Sequence, residues 1–128
     1  CDTAVVAELR RVGYWRNERQ PELPDPHDFV DSNPPVELLE VVGRYLSNGT
    51  LAAAYMGFSV CRICDQRNGT SEFTDGVYQW PEGLAHYVRD HHVRLPAELE
   101  QHAQQQVELA EERSTSSSDA WWIERMRH

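Results

Sequence analysis

Apolar residues recur along the chain with more than one period. Val5, Leu9 and Val12 sit at helical spacing, with Val6 beside them and Gly13 after them, so residues 3–15 read as a first helix. Residues 17–36 carry Pro21, Pro24, Pro26, Pro34 and Pro35, which suit neither a regular helix nor a central strand. They read as a polar connector pinned by Phe29 and Val30. Leu38, Leu39, Val41, Val42, Tyr45 and Leu46 give residues 35–47 a broad apolar helical face, with Asn33 in the N-cap region, Pro35 in the first turn and Asn48-Gly49 as the stop. Residues 50–60 are ambiguous and read as a short element followed by a strand. Phe73, Val77, Tyr78 and Trp80 flank Asp75-Gly76, a favoured two-residue turn, and predict a β-hairpin. Pro81 opens a helix running to about His91. Leu95, Leu99, Ala103, Val107 and Ala110 form a narrow stripe on a helix over 96–113, the pattern of a core-facing helix rather than a dimer seam. Residues 114–118 read as a flexible linker, and Asp119 caps a last short helix containing Trp121, Trp122 and Ile123.

These elements predict one α+β domain over 1–128. At 128 residues the core is modest, and a covalent or metal staple would help it. No apolar run approaches the roughly 18 residues of a membrane span, and no targeting segment is visible, so the cytoplasm is the expected compartment. Cys1 would suit a lipid anchor, but the helix-like Asp2–Val6 directly after it argues against one. All twelve basic residues are Arg, the usage of GC-rich coding, which points to a bacterial source. Twelve Arg against 21 Asp and Glu leave a net charge of −9. A free-standing nucleic-acid binder would show the opposite sign. The charge is uneven: −6 falls on residues 18–40 and −4 on 95–113, while 58–94 carries −1.

Three cysteines, Cys1, Cys61 and Cys64, make a poor disulfide framework. A redox use of Cys61-x-x-Cys64 would want a helix opening at the pair, and Asp65-Gln66-Arg67-Asn68-Gly69 is a turn sequence instead. After 21 residues come His86 and His91, with His92 beside them. Two cysteines two apart on a tight turn, and two histidines near a helix end, can aim at one tetrahedral ion. The expected site is therefore structural Zn2+ on Cys61, Cys64, His86 and His91. On a regular helix His86 and His91 would point about 140° apart, so the last turn has to be irregular.

In ligand order and histidine spacing, residues 58–94 resemble a Cys2His2 zinc-finger-like ββα module, although the spacer exceeds the roughly 12–15 residues of a DNA-binding finger. The resemblance implies an order of knuckle, strand pair and helix, packed between N-terminal and C-terminal helices. The stretch Thr74–Val88 with Val93-Arg94-Leu95-Pro96 is also similar to small uncharacterised bacterial proteins carrying the same cysteine pair. That similarity brings no activity and favours His91 over His92 as fourth ligand.

Catalytic zinc keeps an open coordination position, and a Cys2His2 set is closed. No H-E-x-x-H occurs, and a deaminase would place its histidine and glutamate before the cysteine pair. Asp90–Pro96 is loosely similar to an HNH nuclease core, but the helix after it is rich in Gln and Glu and holds only His102. An enzyme, as a metal-dependent hydrolase or nuclease, is thus the third reading. The second is a nucleic-acid binder using Arg10, Arg11, Arg16 and Arg19 around Tyr14 and Trp15; pairing of these arginines with the acidic connector is the plainer account. Asp25, His27, Asp28 and Asp31 read as a solvated acidic loop rather than a second metal site. The leading expectation is a protein-binding or regulatory module, antitoxin- or immunity-like, that meets a basic protein. Its partner-facing residues would be Asp25, Asp28, Asp31, Glu108, Glu111, Trp121 and Trp122.

Overall fold

Trp80 is fully buried and organises the fold in a computed structural model that describes residues 8–113 and 118–127. It lies on β4 (Tyr78–Pro81), which pairs antiparallel with β3 (Arg67–Thr74) in the register Phe73↔Trp80. Its indole N–H donates to the carbonyl of Leu46, 3.0 Å away, at the end of α1 (Val36–Ser47). Tyr45 stacks on it at 5.1 Å. Gly49 lets the chain pass: a Cβ there would come within 2.6 Å of the Trp80 ring. One tryptophan thus ties the sheet to the helices.

The remaining elements are β1 (Arg10–Arg11), β2 (Thr50–Val60), α2 (Leu84–His91), α3 (Ala97–Arg113) and α4 (Ala120–Met126). The sheet order is β1-β4-β3-β2, with β1 parallel to β4 and the other pairs antiparallel. α1 packs on α2 and α3. Leu39, Val42, Leu84, Val88, Val93 and Leu99 fill the core between them. The architecture is mixed α+β, as the periodicity predicts.

Three elements differ from expectation. The helix over 3–15 does not form in residues 8–15, and residues 3–7 lie outside the described residues. Arg10 N–H instead donates to Val77 O at 3.0 Å and Val12 N–H to Gln79 O at 2.9 Å, adding β1 to the open edge of β4. The unpaired backbone of β4 outweighs a weak helical pattern. Gly13 is not a helix stop: its φ is 78°, and a Cβ would sit 2.7 Å from the Leu84 methyls. Residues 50–60 form one continuous strand, not two elements. The hairpin forms, but its loop is centred on Gly76-Val77, because the Asp75 carboxylate accepts from Val77 N–H at 3.0 Å and Tyr78 N–H at 2.9 Å.

Smaller differences concern helix edges. Pro35, not Asn33, holds the N-cap of α1. Ala110 is exposed, so the stripe on α3 ends at Val107. The linker at 114–118 lies outside the described residues except for Ser118. No residue of α4 is buried, and Trp121 and Trp122 stand 67% and 58% exposed.

The connector is draped rather than loose. Pro26–Phe29 form one 3-10 turn, Arg94 N–H donates to Phe29 O at 2.8 Å, and Asp31 N–H to His92 O at 3.0 Å. Val30 pairs with Val93 as an isolated antiparallel bridge. Arg94 then clamps it: its guanidinium donates to both oxygens of the buried Glu100 at 2.9 and 2.8 Å and to Asp31 at 2.9 Å.

Candidate metal centre

Cys61 directly follows β2 and Cys64 lies in the turn that leads into β3. The turn closes through Cys61 N–H to Gln66 O at 2.8 Å and Asp65 N–H to Cys61 O at 2.9 Å. Asp65 takes φ 62° to complete it. Ile63 N–H points at Cys61 Sγ, 3.4 Å away. The knuckle therefore sits at the tip of the β2–β3 hairpin, not ahead of a strand pair. β4 and its turn intervene before the helix, which accounts for the long spacer.

α2 brings the histidines. Its end is irregular, as the 140° separation demands. His92 adopts φ 56°, and the N–H groups of His92 and Val93 both turn back to Tyr87 O. This left-handed cap turns the chain directly after His91. His92 is itself exposed and stays outside the cluster. Cys61, Cys64, His86 and His91 each offer a ligand atom, and these atoms all lie within 4.8 Å of one another. The four are close enough to hold a metal ion. Among the described residues no other group of three or more His, Cys, Asp or Glu is so arranged.

The donor chemistry fits an ion. Cys64 Sγ lies 3.3 Å from His86 Nε2, close to the ~3.5 Å edge expected for sulfur and nitrogen on one zinc tetrahedron. His86 Nδ1 lies 2.7 Å from Asp90 Oδ2. The carboxylate can only accept, which puts the ring proton on Nδ1 and a lone pair on Nε2. His91 Nε2 is buried and has no hydrogen-bond partner. Such an atom is costly unless something satisfies it. Burial and the neighbouring His86 lower the pKa of His91, favouring the neutral, metal-binding form. At Cys64 the Gln66 N–H acts to lower the thiol pKa, but desolvation and Cys61 outweigh it and hold it above the ordinary value. A bound cation would reverse that balance.

Two residues support the cluster from α2. Tyr87, on the same helix as the histidines, accepts the Arg62 N–H at 2.8 Å through its hydroxyl, locking knuckle to helix. Its ring lies 5.4 Å from that of Trp15. Sequence reasoning misses it, since no spacing rule flags it. Asp90 is missed too, although it carries a signal: it stands four residues after His86 on one helix face.

The other sequence-flagged residues are scattered. Asp25 accepts the His27 N–H and contacts its ring, and this holds its carboxyl below the usual range. Asp31 serves Asn33 N–H and Arg94. Asp28 and Glu108 are exposed, and Glu111 pairs with Arg44 at 3.3 Å. Of the arginines, Arg10 pairs with Glu98, Arg11 stacks 4.0 Å from Tyr14, and Arg16 donates to Leu23 O. No helix is long and apolar enough to cross a membrane among the described residues. No family model, curated protein or solved structure matches the chain.

Proposed function

We propose that Cys61, Cys64, His86 and His91 hold one structural zinc ion, and that the chain serves as a protein-binding module for a basic partner. One observation carries the metal reading. Four soft or borderline donors from two separate elements converge within 4.8 Å, and one of them, His91 Nε2, is buried without a partner. Four protein ligands leave no open position for a substrate or water, which supports a structural role over a hydrolytic one. Zinc fits this donor set better than magnesium or calcium, which prefer oxygen. Binding there would join the β2–β3 tip to α2 and add to folding energy.

The partner reading rests on charge. The chain carries −9, and Asp28 and Glu108 lie exposed on its two most acidic segments. The arginines of the alternative nucleic-acid surface are largely engaged within the fold, which weighs against that use.

The purified protein should carry about one zinc per chain by elemental analysis. Cys61→Ser should lose it and lower the unfolding midpoint sharply. A folded, metal-free protein indifferent to added zinc would end the metal reading. Salt-sensitive retention of nucleic acid in a mobility-shift assay would replace the partner reading with the nucleic-acid one.

A further inference from the structure

We propose that the cavity between the N-terminal segment and the connector binds a small apolar molecule carrying a single carboxylate. The cavity measures about 510 Å³, within the roughly 300–1,000 Å³ of small-molecule sites. Val12, Trp15, Leu23, Pro24, Phe29 and Leu95 make its walls largely apolar. Arg11 and Arg94 also line it, and no Asp or Glu does. Their carboxylate partners Glu72, Asp31 and Glu100 lie outside the lining.

The two arginines are not equivalent. Arg94 is fixed by Glu100 and Asp31 through three donors. A guanidinium has five N–H groups, so two remain to be offered from a rigid position. The charge of Arg94 is already matched by those carboxylates. Arg11 is different. Its side chain is 60% exposed, lies over the Tyr14 ring, and forms one ion pair, with the buried Glu72 at 3.7 Å, too long for a hydrogen bond. The Glu72 carboxylate already accepts from Tyr14 Oη at 2.6 Å and Gln79 Nε2 at 3.1 Å. Arg11, held by one long ion pair, can therefore turn N–H donors to a ligand carboxylate, and Arg94 supplies two more from a fixed position. An apolar body satisfies the walls, and a carboxylate satisfies the guanidinium groups by charge-assisted bonds. A neutral or cationic amphiphile of the same length gains only the first. No metal ligand lines the cavity, so this inference stands apart from the zinc reading.

Isothermal titration of the full chain with octanoate, octan-1-ol and octyltrimethylammonium tests it. Octanoate should bind saturably at one site, at least tenfold more tightly than the cation. Arg11→Gln, which leaves Glu72 its donors from Tyr14 and Gln79, should weaken octanoate about tenfold and leave octan-1-ol unchanged. Leu23→Trp should block the cavity and abolish binding of both. Ile123→Ala, exposed on α4, should change nothing. Absence of saturable octanoate binding overturns the proposal. So does equal binding of all three head groups, or loss of binding in Ile123→Ala with retention in Leu23→Trp.

Discussion

Tyr87→Phe separates the metal site from the packing around it. The phenylalanine ring keeps the contact with Trp15 and the buried volume; only the hydroxyl is lost. That hydroxyl accepts the Arg62 N–H at 2.8 Å, in the middle of the Cys61–Cys64 turn. Without it the amide loses its partner while the turn must still hold two cysteines in register. Leaving a buried donor unmade costs about 1–3 kcal/mol. Arg62 is itself exposed, so water can partly replace the bond and the lower half of that range applies. A cost of about 1–2 kcal/mol corresponds to roughly 5–30-fold in affinity, comparable with the ~10–100-fold typical of residues that position metal ligands. Competition for zinc against a chromophoric chelator at pH 7 measures it directly. The expected result is a 5–30-fold weaker zinc complex with an otherwise wild-type circular dichroism spectrum. Unchanged affinity would show that the knuckle needs no anchor on α2 and would refute the reasoning.

Three further predictions use other parts of the fold. Arg94→Met strands the Glu100 carboxylate, whose side chain is 7% exposed, and should cost about 3 kcal/mol, the low end for breaking a buried pair because Arg94 is itself 34% exposed. Urea midpoints check it, and Arg94→Met/Glu100→Gln should regain most of the loss. Asp75 is pushed up by burial, but donors from Tyr45, Tyr78, His102 and Val77 outweigh this and hold its pKa below the ordinary 3.8. Its stabilising share is therefore complete above that value and lost as pH falls below it, so Asp75→Asn should be less stable at pH 7 and show a shallower loss of stability between about pH 4 and 2; a wild-type acid slope in that variant would contradict this. Chelation should speed hydrogen exchange at Asp31 and Arg94, whose amides bond across the chain just after His91, more than at Val12 on the β4 edge. Uniform acceleration would mean that the ion stabilises the whole fold without local preference.

Much of this is legible in the sequence because local chemistry and tertiary structure agree. The apolar face of α1 and the α3 stripe as far as Val107 appear where spacing puts them, and the hairpin forms with its loop one residue later than the Asp75-Gly76 turn. The four candidate ligands are legible as a set, because the two cysteines and two histidines are close in sequence within each pair. The N-terminal segment is not. Leu9 and Val12 satisfy a helical period, but Arg10 and Arg11 pair with Tyr78 and Gln79, nearly 70 positions away. A sheet edge is invisible to a local window. The same limit hides the connector. Its prolines correctly exclude helix and strand, yet nothing near them announces Arg94, 63 positions from Asp31. Asp31 reads as solvated because its partner lies on the far side of the metal ligands.

That arrangement explains where the strain falls. Among the described residues, only Asp65 and His92 adopt positive φ without being glycine, at 62° and 56°. Each immediately follows a candidate ligand, Cys64 and His91. Such residues cost on the order of 1–3 kcal/mol each and persist only where surrounding structure over-determines them. Here the determinants are plain. Asp65 N–H closes on Cys61 O, and His92 is held between the α2 cap on Tyr87 O and the Asp31 N–H on its own carbonyl. Both turns aim a candidate ligand at the same point. An ion bound by four such donors supplies on the order of 10 kcal/mol, more than enough to offset two strained residues. The two left-handed turns thus serve the same convergence as the side chains: each falls one residue after a candidate ligand.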